Sequence, residues 1–91
     1  MLEKNTEITV NQNALVQKVS DEMVILDSES GQYYTLNEMA TKMLEHAQSG
    51  KTLGEIVLSI CDEYDASEQE VEQDLKDMIA QLLDKGLVRA A

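Results

Sequence analysis

The spacing of the apolar residues changes once along this chain, near residue 37. Before that point apolar residues form short runs separated by Ser, Gly and Asp, which is typical of β-strands and turns. After it they recur every three or four residues, which is typical of amphipathic helices. A length of 91 residues leaves room for one domain with one hydrophobic core. The chain is therefore predicted to begin with a sheet and to end with helices.

The first half predicts a three-stranded antiparallel meander. Three strands are expected, at about 14–20, 22–28 and 32–36. The central strand contains the apolar run from Met23 to Leu26, and the turn that follows it offers Gly31 for a positive φ. Residues 1–13 are mostly polar and are expected to form an N-terminal arm or a short extra strand.

The second half predicts three helices, at about 38–48, 53–64 and 68–85. Asn37 is suited to cap the first helix. Thr52 with Glu55, and Ser67 with Glu70, have the spacing of capping boxes before the second and third. The order β-β-β-α-α-α is that of an α+β domain, here winged-helix-like over residues 14–88, with its helices on one side of a small sheet.

Composition argues against several classes of partner. The net charge is −11 at neutral pH, so association with nucleic acid or an anionic membrane would begin with like-charge repulsion. No apolar run reaches the about 18 residues of a membrane span, and the acidic N-terminus does not resemble a signal peptide. The single cysteine, Cys61, suits a reducing compartment. We expect a cytoplasmic protein.

DNA binding is the alternative that a winged-helix fold raises. The third predicted helix would be the reading helix, yet between Ser67 and Asp84 it carries six acidic residues and a single basic one, Lys76. This is the reverse of the charge that phosphates require. No nucleic-acid partner is expected.

Catalytic and metal-binding patterns are weak. His46 and Cys61 lie on different predicted helices, and Cys61 falls within an apolar stripe, so a Cys-His nucleophile pair is disfavoured. The stretch from Asp27 to Glu38 has acids at positions 1, 3 and 12 of an EF-hand loop, but Gly31 takes a ligand position and the glycine position is not glycine. No catalytic residue, metal or cofactor is expected.

A carrier protein is a further alternative for a small acidic chain. Its phosphopantetheine arm would need a serine after an aspartate at the start of a helix, but Asp27-Ser28 stands at the entry of a predicted hairpin turn. Three strands ahead of the first helix also contradict an all-helical carrier. We therefore favour a protein-binding module.

Four segments in order resemble the PqqD-like family. They are the strand-turn-strand run 26–37, the helix start 50–57, and the third-helix segments 70–75 and 82–88. The resemblance covers about residues 14–88. It implies a RiPP recognition element, a winged-helix-like domain that binds the leader segment of a ribosomally synthesised precursor peptide and presents it to a modifying enzyme.

The resemblance leaves two settings open for a stand-alone chain. One is lasso-peptide biosynthesis, where the partner is a cysteine-protease-like leader peptidase, and the other is pyrroloquinoline quinone biosynthesis, where it is a radical enzyme. The run from Tyr33 to Asn37, and the turn with Asp27 and Gly31, are more similar to the lasso-pathway members. A small acidic scaffold domain, binding a folded protein through its third helix, is the alternative from a different class.

The third predicted strand ends the meander and is therefore a sheet edge. Its unpaired N–H and C=O groups offer an extended peptide a fourth strand position, with the third helix as the opposite wall. The expected peptide-binding residues are Gln32, Tyr33, Tyr34, Thr35, Leu36, Val71, Asp74, Leu75 and Met78. Strand alternation lets only one of the two tyrosines face the groove. A second copy pairing at the same edge, as a dimer, is the competing use of that edge.

Overall fold

The computed structural model describes residues 3–90, which form five strands and three helices. In chain order these are β1 (Ile8–Val10), β2 (Ala14–Val19), β3 (Glu22–Asp27), β4 (Tyr33–Leu36), α1 (Glu38–Gln48), α2 (Leu53–Glu63), α3 (Glu68–Asp84) and β5 (Val88–Ala90). Strands β2, β3 and β4 form an antiparallel sheet in that order, and β1 pairs with β5 in a separate two-stranded sheet. The predicted α+β class, with a three-stranded antiparallel sheet followed by three helices, is confirmed.

Side-chain hydrogen bonds fix the start of each helix. The Asn37 side chain accepts a hydrogen bond from the Ala40 N–H at 2.9 Å. Thr52 and Glu55 form a complete capping box, in which each side chain accepts from the other residue's backbone N–H. The Ser67 hydroxyl accepts from the N–H three residues later at 3.2 Å, which is one half of the box that its spacing predicts.

The N-terminal segment is bound to the helical half of the molecule. β1, which lies within the predicted segment 1–13, pairs with β5 along its whole length, while Met1 and Leu2 lie outside the described residues. Before β1, the carbonyl oxygens of Thr6 and Lys4 accept hydrogen bonds from the first two N–H groups of α2, at 2.9 and 2.8 Å. The first N–H groups of a helix have no acceptor within that helix, so these donors need partners from outside it. The segment therefore completes the start of α2.

The inner face of the three-stranded sheet packs against the helices. Its buried side chains include Met23, Ile25 and Leu36, and the core residues of the described chain are aliphatic or methionine throughout. The opposite face carries an apolar row, in which the register sets Leu15, Leu26 and Tyr33 side by side across the three strands. Leu15 is 54 % exposed and Tyr33 is 68 % exposed. We call these three residues the outer row.

Candidate peptide-binding site

β4 has an open edge, because within residues 3–90 it pairs only with β3. The Asp27 N–H donates to the Gln32 carbonyl at 2.9 Å, which identifies a hydrogen-bonded pair of the β3–β4 ladder. Such pairs alternate with non-hydrogen-bonded pairs. Gln32 and every second residue after it therefore direct their main-chain groups to β3. The N–H and C=O groups of Tyr33 and Thr35 point to the open edge, where an added strand can pair with them.

The turn before β4 is fixed by a buried carboxylate. Asp27 accepts hydrogen bonds from the Asn13 side chain at 3.2 Å, the Glu29 N–H at 3.0 Å and the Ser30 hydroxyl at 3.0 Å. The Asn13 and Glu29 bonds lower the pKa of Asp27 below its usual value, against the opposing effect of burial. Gly31 adopts φ 76°, a conformation that glycine reaches without strain. These hydrogen bonds favour the ionised form of Asp27 and connect it to the turn that precedes β4.

A groove of about 380 Å³ lies between β4 and α3, with α1 closing one end, and we call it the strand groove. It is lined by Thr35, Leu36, Asn37, Met39, Ala40, Met43, Asp74, Asp77, Met78 and Gln81. Half of these residues are apolar, and three of them are methionines, whose flexible side chains can adapt to the shape of a ligand. The two charged lining residues are both acidic.

Four of the nine sequence-predicted residues line this groove directly. They are Thr35, Leu36, Asp74 and Met78. Tyr34 lies on the same strand face as Leu36, and the Lys85 Nζ stands 4.9 Å from its ring centre. The Tyr34 hydroxyl donates to Gln32 Oε1 at 2.7 Å. Tyr34 is therefore the tyrosine that faces α3, whereas Tyr33 projects from the opposite face of the sheet.

Val71 and Leu75 lie in the core and not in the strand groove, contrary to the expectation that they offer it apolar pockets. Their exposed fractions are 2 % and 1 %. On α3 these residues occupy the centre of the apolar stripe, while Asp74, Met78 and Gln81 follow its margin at spacings of four and three. Periodicity predicts the stripe but does not separate its centre from its margin.

Sequence reasoning missed the contribution of α1. Met39, Ala40 and Met43 reach the strand groove because a single residue, Asn37, separates β4 from α1. The N-cap at Asn37 was the available signal, since a helix that begins directly after an edge strand has its first turns beside that strand. The sequence prediction also missed Asp77 and Gln81 in this groove, and Lys85 beside Tyr34. Only the packing of α3 against the sheet identifies these residues.

A second, larger groove of about 640 Å³ lies on the other side of α3, and we call it the arm groove. Its walls are the segment Glu3–Asn5, the start of α2 and the first half of α3. Its apolar lining residues are Leu53, Val57, Leu58 and Leu75. No residue of β4 contributes to it.

The two residues considered as catalytic candidates, His46 and Cys61, lie outside the strand groove and contact other parts of the protein. His46 Nε2 lies 2.7 Å from Glu63 Oε1, and its Nδ1 accepts from Lys51 Nζ at 3.0 Å. Cys61 is partly buried against the core. Among residues 3–90, no three His, Cys, Asp or Glu side chains come together as metal ligands. In the same part of the chain, no helix has the length and apolar character that crossing a bilayer requires.

Comparison with known proteins gives a family match and two similar structures. The family model for coenzyme PQQ synthesis protein D (PqqD) matches residues 22–88. The structure of TbiB1 in complex with the TbiA(beta) leader peptide is 30% identical, with a TM-score of 0.84, over 89% of this chain and 94% of that one. A lasso peptide synthetase B1 complexed with its leader peptide shares the fold at 23% identity and a TM-score of 0.84, over 91% and 98% of the two chains. No curated protein matches.

Proposed function

Because this chain belongs to the PqqD family, we propose that it is a non-catalytic adaptor that binds the leader segment of a ribosomally synthesised precursor peptide. The leader adds as a strand to β4, in the strand groove, and is presented to a modifying enzyme. The observation that carries this proposal is the open edge at Tyr33 and Thr35 beside a groove whose lining is half apolar and half polar.

Strand addition explains both affinity and selectivity. In an antiparallel addition, Tyr33 and Thr35 each exchange two main-chain hydrogen bonds with one leader residue. The leader residues opposite Tyr34 and Leu36 then point their side chains into the groove. Each aliphatic side chain buried there contributes about 1.5–3 kcal/mol before the cost of ordering the peptide.

The proposed contact residues keep the sequence prediction and refine it. Leader contacts are assigned to Gln32, Tyr33, Tyr34, Thr35, Leu36, Asp74 and Met78. The buried Val71 and Leu75 act indirectly, because their packing in the core fixes the position of α3 as the groove wall.

We propose the lasso-peptide setting, with the leader peptidase as the enzyme. It is supported by the leader-peptide complexes of the two similar B1 proteins. A peptide chaperone of pyrroloquinoline quinone biosynthesis is the second candidate, and the family description favours it. Both candidates use the same groove. Incubation with a lasso precursor and its leader peptidase separates them, since only the first predicts that this chain accelerates cleavage.

Presentation also requires a surface that the leader leaves free, and we assign this role to the outer row. Tyr33 connects the two surfaces, because its main chain faces the open edge while its side chain lies in the row with Leu15 and Leu26. The variant Leu15→Lys is expected to bind the leader normally and to lose acceleration of leader cleavage. Leu58→Lys is the matched control, because Leu58 is exposed on α2 and should change neither property.

The direct test of the adaptor is strand pairing with an isotope-labelled leader peptide. We expect cross-strand NMR contacts between the peptide and residues Tyr33–Thr35, and slower amide hydrogen exchange at Tyr33 and Thr35. Contacts confined to the acidic surface of α3 would instead support the scaffold alternative. Changing His46 and Cys61 together should leave leader binding and cleavage intact, because neither residue lies in the groove.

The open edge also allows a second copy to pair with it. We propose that the leader competes with such a dimer, because both would use the outward groups of Tyr33 and Thr35. Sedimentation of the chain alone, and then with a leader peptide, measures this competition. The location that we propose for the whole assembly is the cytoplasm, in keeping with the single thiol.

A further inference from the structure

Opposite charges lie near the two ends of β4, the negative ones in the strand groove and the positive one beside it. Asp74 and Asp77 line the groove together with the last two residues of β4 and Asn37. Lys85, the residue that follows α3, is not a lining residue but lies beside the start of β4, over the Tyr34 ring. α3 therefore runs antiparallel to β4, and its charged residues mark out a direction along the groove.

The separation of these charges matches a short extended peptide. From Asp74 to Lys85 the helix rises about 16 Å, at 1.5 Å per residue. A seven-residue β-strand, whose first and last side chains share one face, covers about 20 Å, so its terminal charged side chains lie near both groups. A leader strand paired with β4 thus extends from one charged end to the other.

These charges have little compensation from the protein itself. The described residues contain three ion pairs, and none of them includes Asp74, Asp77 or Lys85. Asp77 accepts a neutral hydrogen bond from the Gln73 amide at 2.9 Å, and Lys85 contacts the face of an aromatic ring. Asp74, Asp77 and Lys85 are therefore available to form ion pairs with charged groups of a ligand.

We infer that this groove selects leader segments by charge polarity, an inference that rests on the proposed function. Antiparallel strand pairing is the more stable arrangement, and it brings the N-terminal end of the leader next to Leu36. Four leader positions then face inward. From the N-terminus, the first is basic and lies beside Asp74 and Asp77, and the next two are apolar and lie opposite Leu36 and Tyr34. The fourth is acidic and lies beside Lys85. Outward-facing residues separate these four positions.

Two synthetic peptides of identical composition test this polarity. The forward peptide is Lys-Thr-Leu-Thr-Leu-Thr-Glu, and the reversed peptide exchanges its terminal Lys and Glu. Both carry acetyl and amide ends and a fluorophore on a Gly-Ser spacer. Fluorescence anisotropy with the full chain is expected to show about three- to tenfold tighter binding of the forward peptide at low salt, since two exposed ion pairs are exchanged for two repulsions. In about 0.5 M NaCl the ratio should shrink.

Charge reversal in the protein provides the second arm. The variant Asp74→Lys with Asp77→Lys and Lys85→Glu is expected to prefer the reversed peptide. The control variant exchanges Glu72 and Lys76, an ion pair at 2.9 Å on the arm-groove side of α3, and should keep the preference of the wild type. Circular dichroism verifies that each variant retains its helices.

The outcomes separate this inference from the proposed function. Equal binding of both peptides, with protection of the Tyr33 and Thr35 amides, overturns the polarity and leaves the adaptor intact. A wild-type preference for the reversed peptide also overturns it, because the added strand would then run parallel to β4. Failure of both peptides to bind or to protect these amides counts against strand addition, and the polarity inference fails with it.

Discussion

α3 separates two grooves, and the larger one is not where we place the peptide. The arm groove measures about 640 Å³ and the strand groove about 380 Å³. In the wall of the arm groove, the N–H groups of Leu53 and Gly54 are paired with the carbonyls of the N-terminal segment. Beside the strand groove, the N–H groups of Tyr33 and Thr35 point to the open edge of β4. Available main-chain groups, more than volume, distinguish a site for an extended peptide.

The charged side chains of the two grooves differ in the same way. In the arm groove, Glu55 belongs to the capping box of α2 and Glu72 pairs with Lys76 at 2.9 Å. In the strand groove, Asp74 and Asp77 have no ion-pair partner among residues 3–90. Glu55 and Glu72 of the arm groove thus help to hold the fold together, whereas the carboxylates of Asp74 and Asp77 can form ion pairs with a ligand.

Removing an outward N–H from β4 should have the largest effect. Thr35→Pro deletes that donor and places a ring at the edge, which an edge strand tolerates better than a central one. We expect at least about a tenfold loss of affinity for the forward peptide, the size of one to two lost hydrogen bonds plus steric exclusion. Lys18→Pro is the matched control, because Lys18 faces the opposite edge of the sheet, and it should bind normally.

Methylating the peptide main chain tests the same contact without changing the protein. The last two threonines of the forward peptide would pair with Thr35 and Tyr33. N-methylation of these two residues should weaken binding as strongly as the Thr35→Pro substitution does. N-methylation of the second leucine, whose N–H points away from β4, should have little effect. Equal losses for both peptides would contradict the proposed register.

A charge in the apolar part of the strand groove should have the next largest effect. Met78→Glu replaces a flexible apolar surface with a carboxylate beside Asp74 and Asp77, and we expect roughly a tenfold or greater loss of peptide affinity. Leu58→Glu makes the equivalent change in the arm groove and should leave the affinity unchanged. Isothermal titration calorimetry measures both. A loss for Leu58→Glu alone would move the peptide site to the arm groove.

Asp27, at the start of the turn before β4, is expected to make the stability of the fold depend on pH. Its pKa is lower in the folded chain than in the unfolded chain, so its ionised form stabilises the fold above the unfolded value of 3.8, and this contribution is lost as the pH falls below it. Asp27→Asn should therefore lower the unfolding temperature at neutral pH and leave a smaller difference from the wild type near pH 3. Thermal unfolding across this pH range measures the effect. A constant difference at all pH values would mean that the charge of Asp27 contributes nothing.

The smallest effect is expected in the wall of the arm groove. A Cβ added at Gly54 would meet the Lys4 carbonyl oxygen at 3.2 Å, so Gly54→Ala should displace the N-terminal segment. Amide hydrogen exchange at Leu53 and at position 54 should accelerate, because those donors bond to the displaced segment. Affinity for the forward peptide should not change. A weaker affinity would show that the two grooves are coupled through α3.

Local patterns predict the part of the fold that positions the site. The turn ending at Gly31, the cap at Asn37 and the capping box at Thr52 each depend on neighbouring residues, and the structure contains all three. The pairing of β1 with β5 joins the two ends of the described chain, and strands of three residues carry little local pattern. Separating the buried Leu75 from Met78, which lines the strand groove, required the register of α3 against the sheet, and periodicity does not contain that register.

The fully buried core residues of the described chain include no aromatic side chain, and this has an optical consequence. The chain has neither tryptophan nor phenylalanine, and two of its three tyrosines, Tyr33 and Tyr34, belong to β4. Near-ultraviolet circular dichroism and intrinsic tyrosine emission therefore sample the edge of the sheet and Tyr64, while the interior contributes no aromatic signal. An unlabelled protein thus contains its own spectroscopic probe at the proposed leader site, and Tyr34→Leu isolates the contribution of the ring beside Lys85.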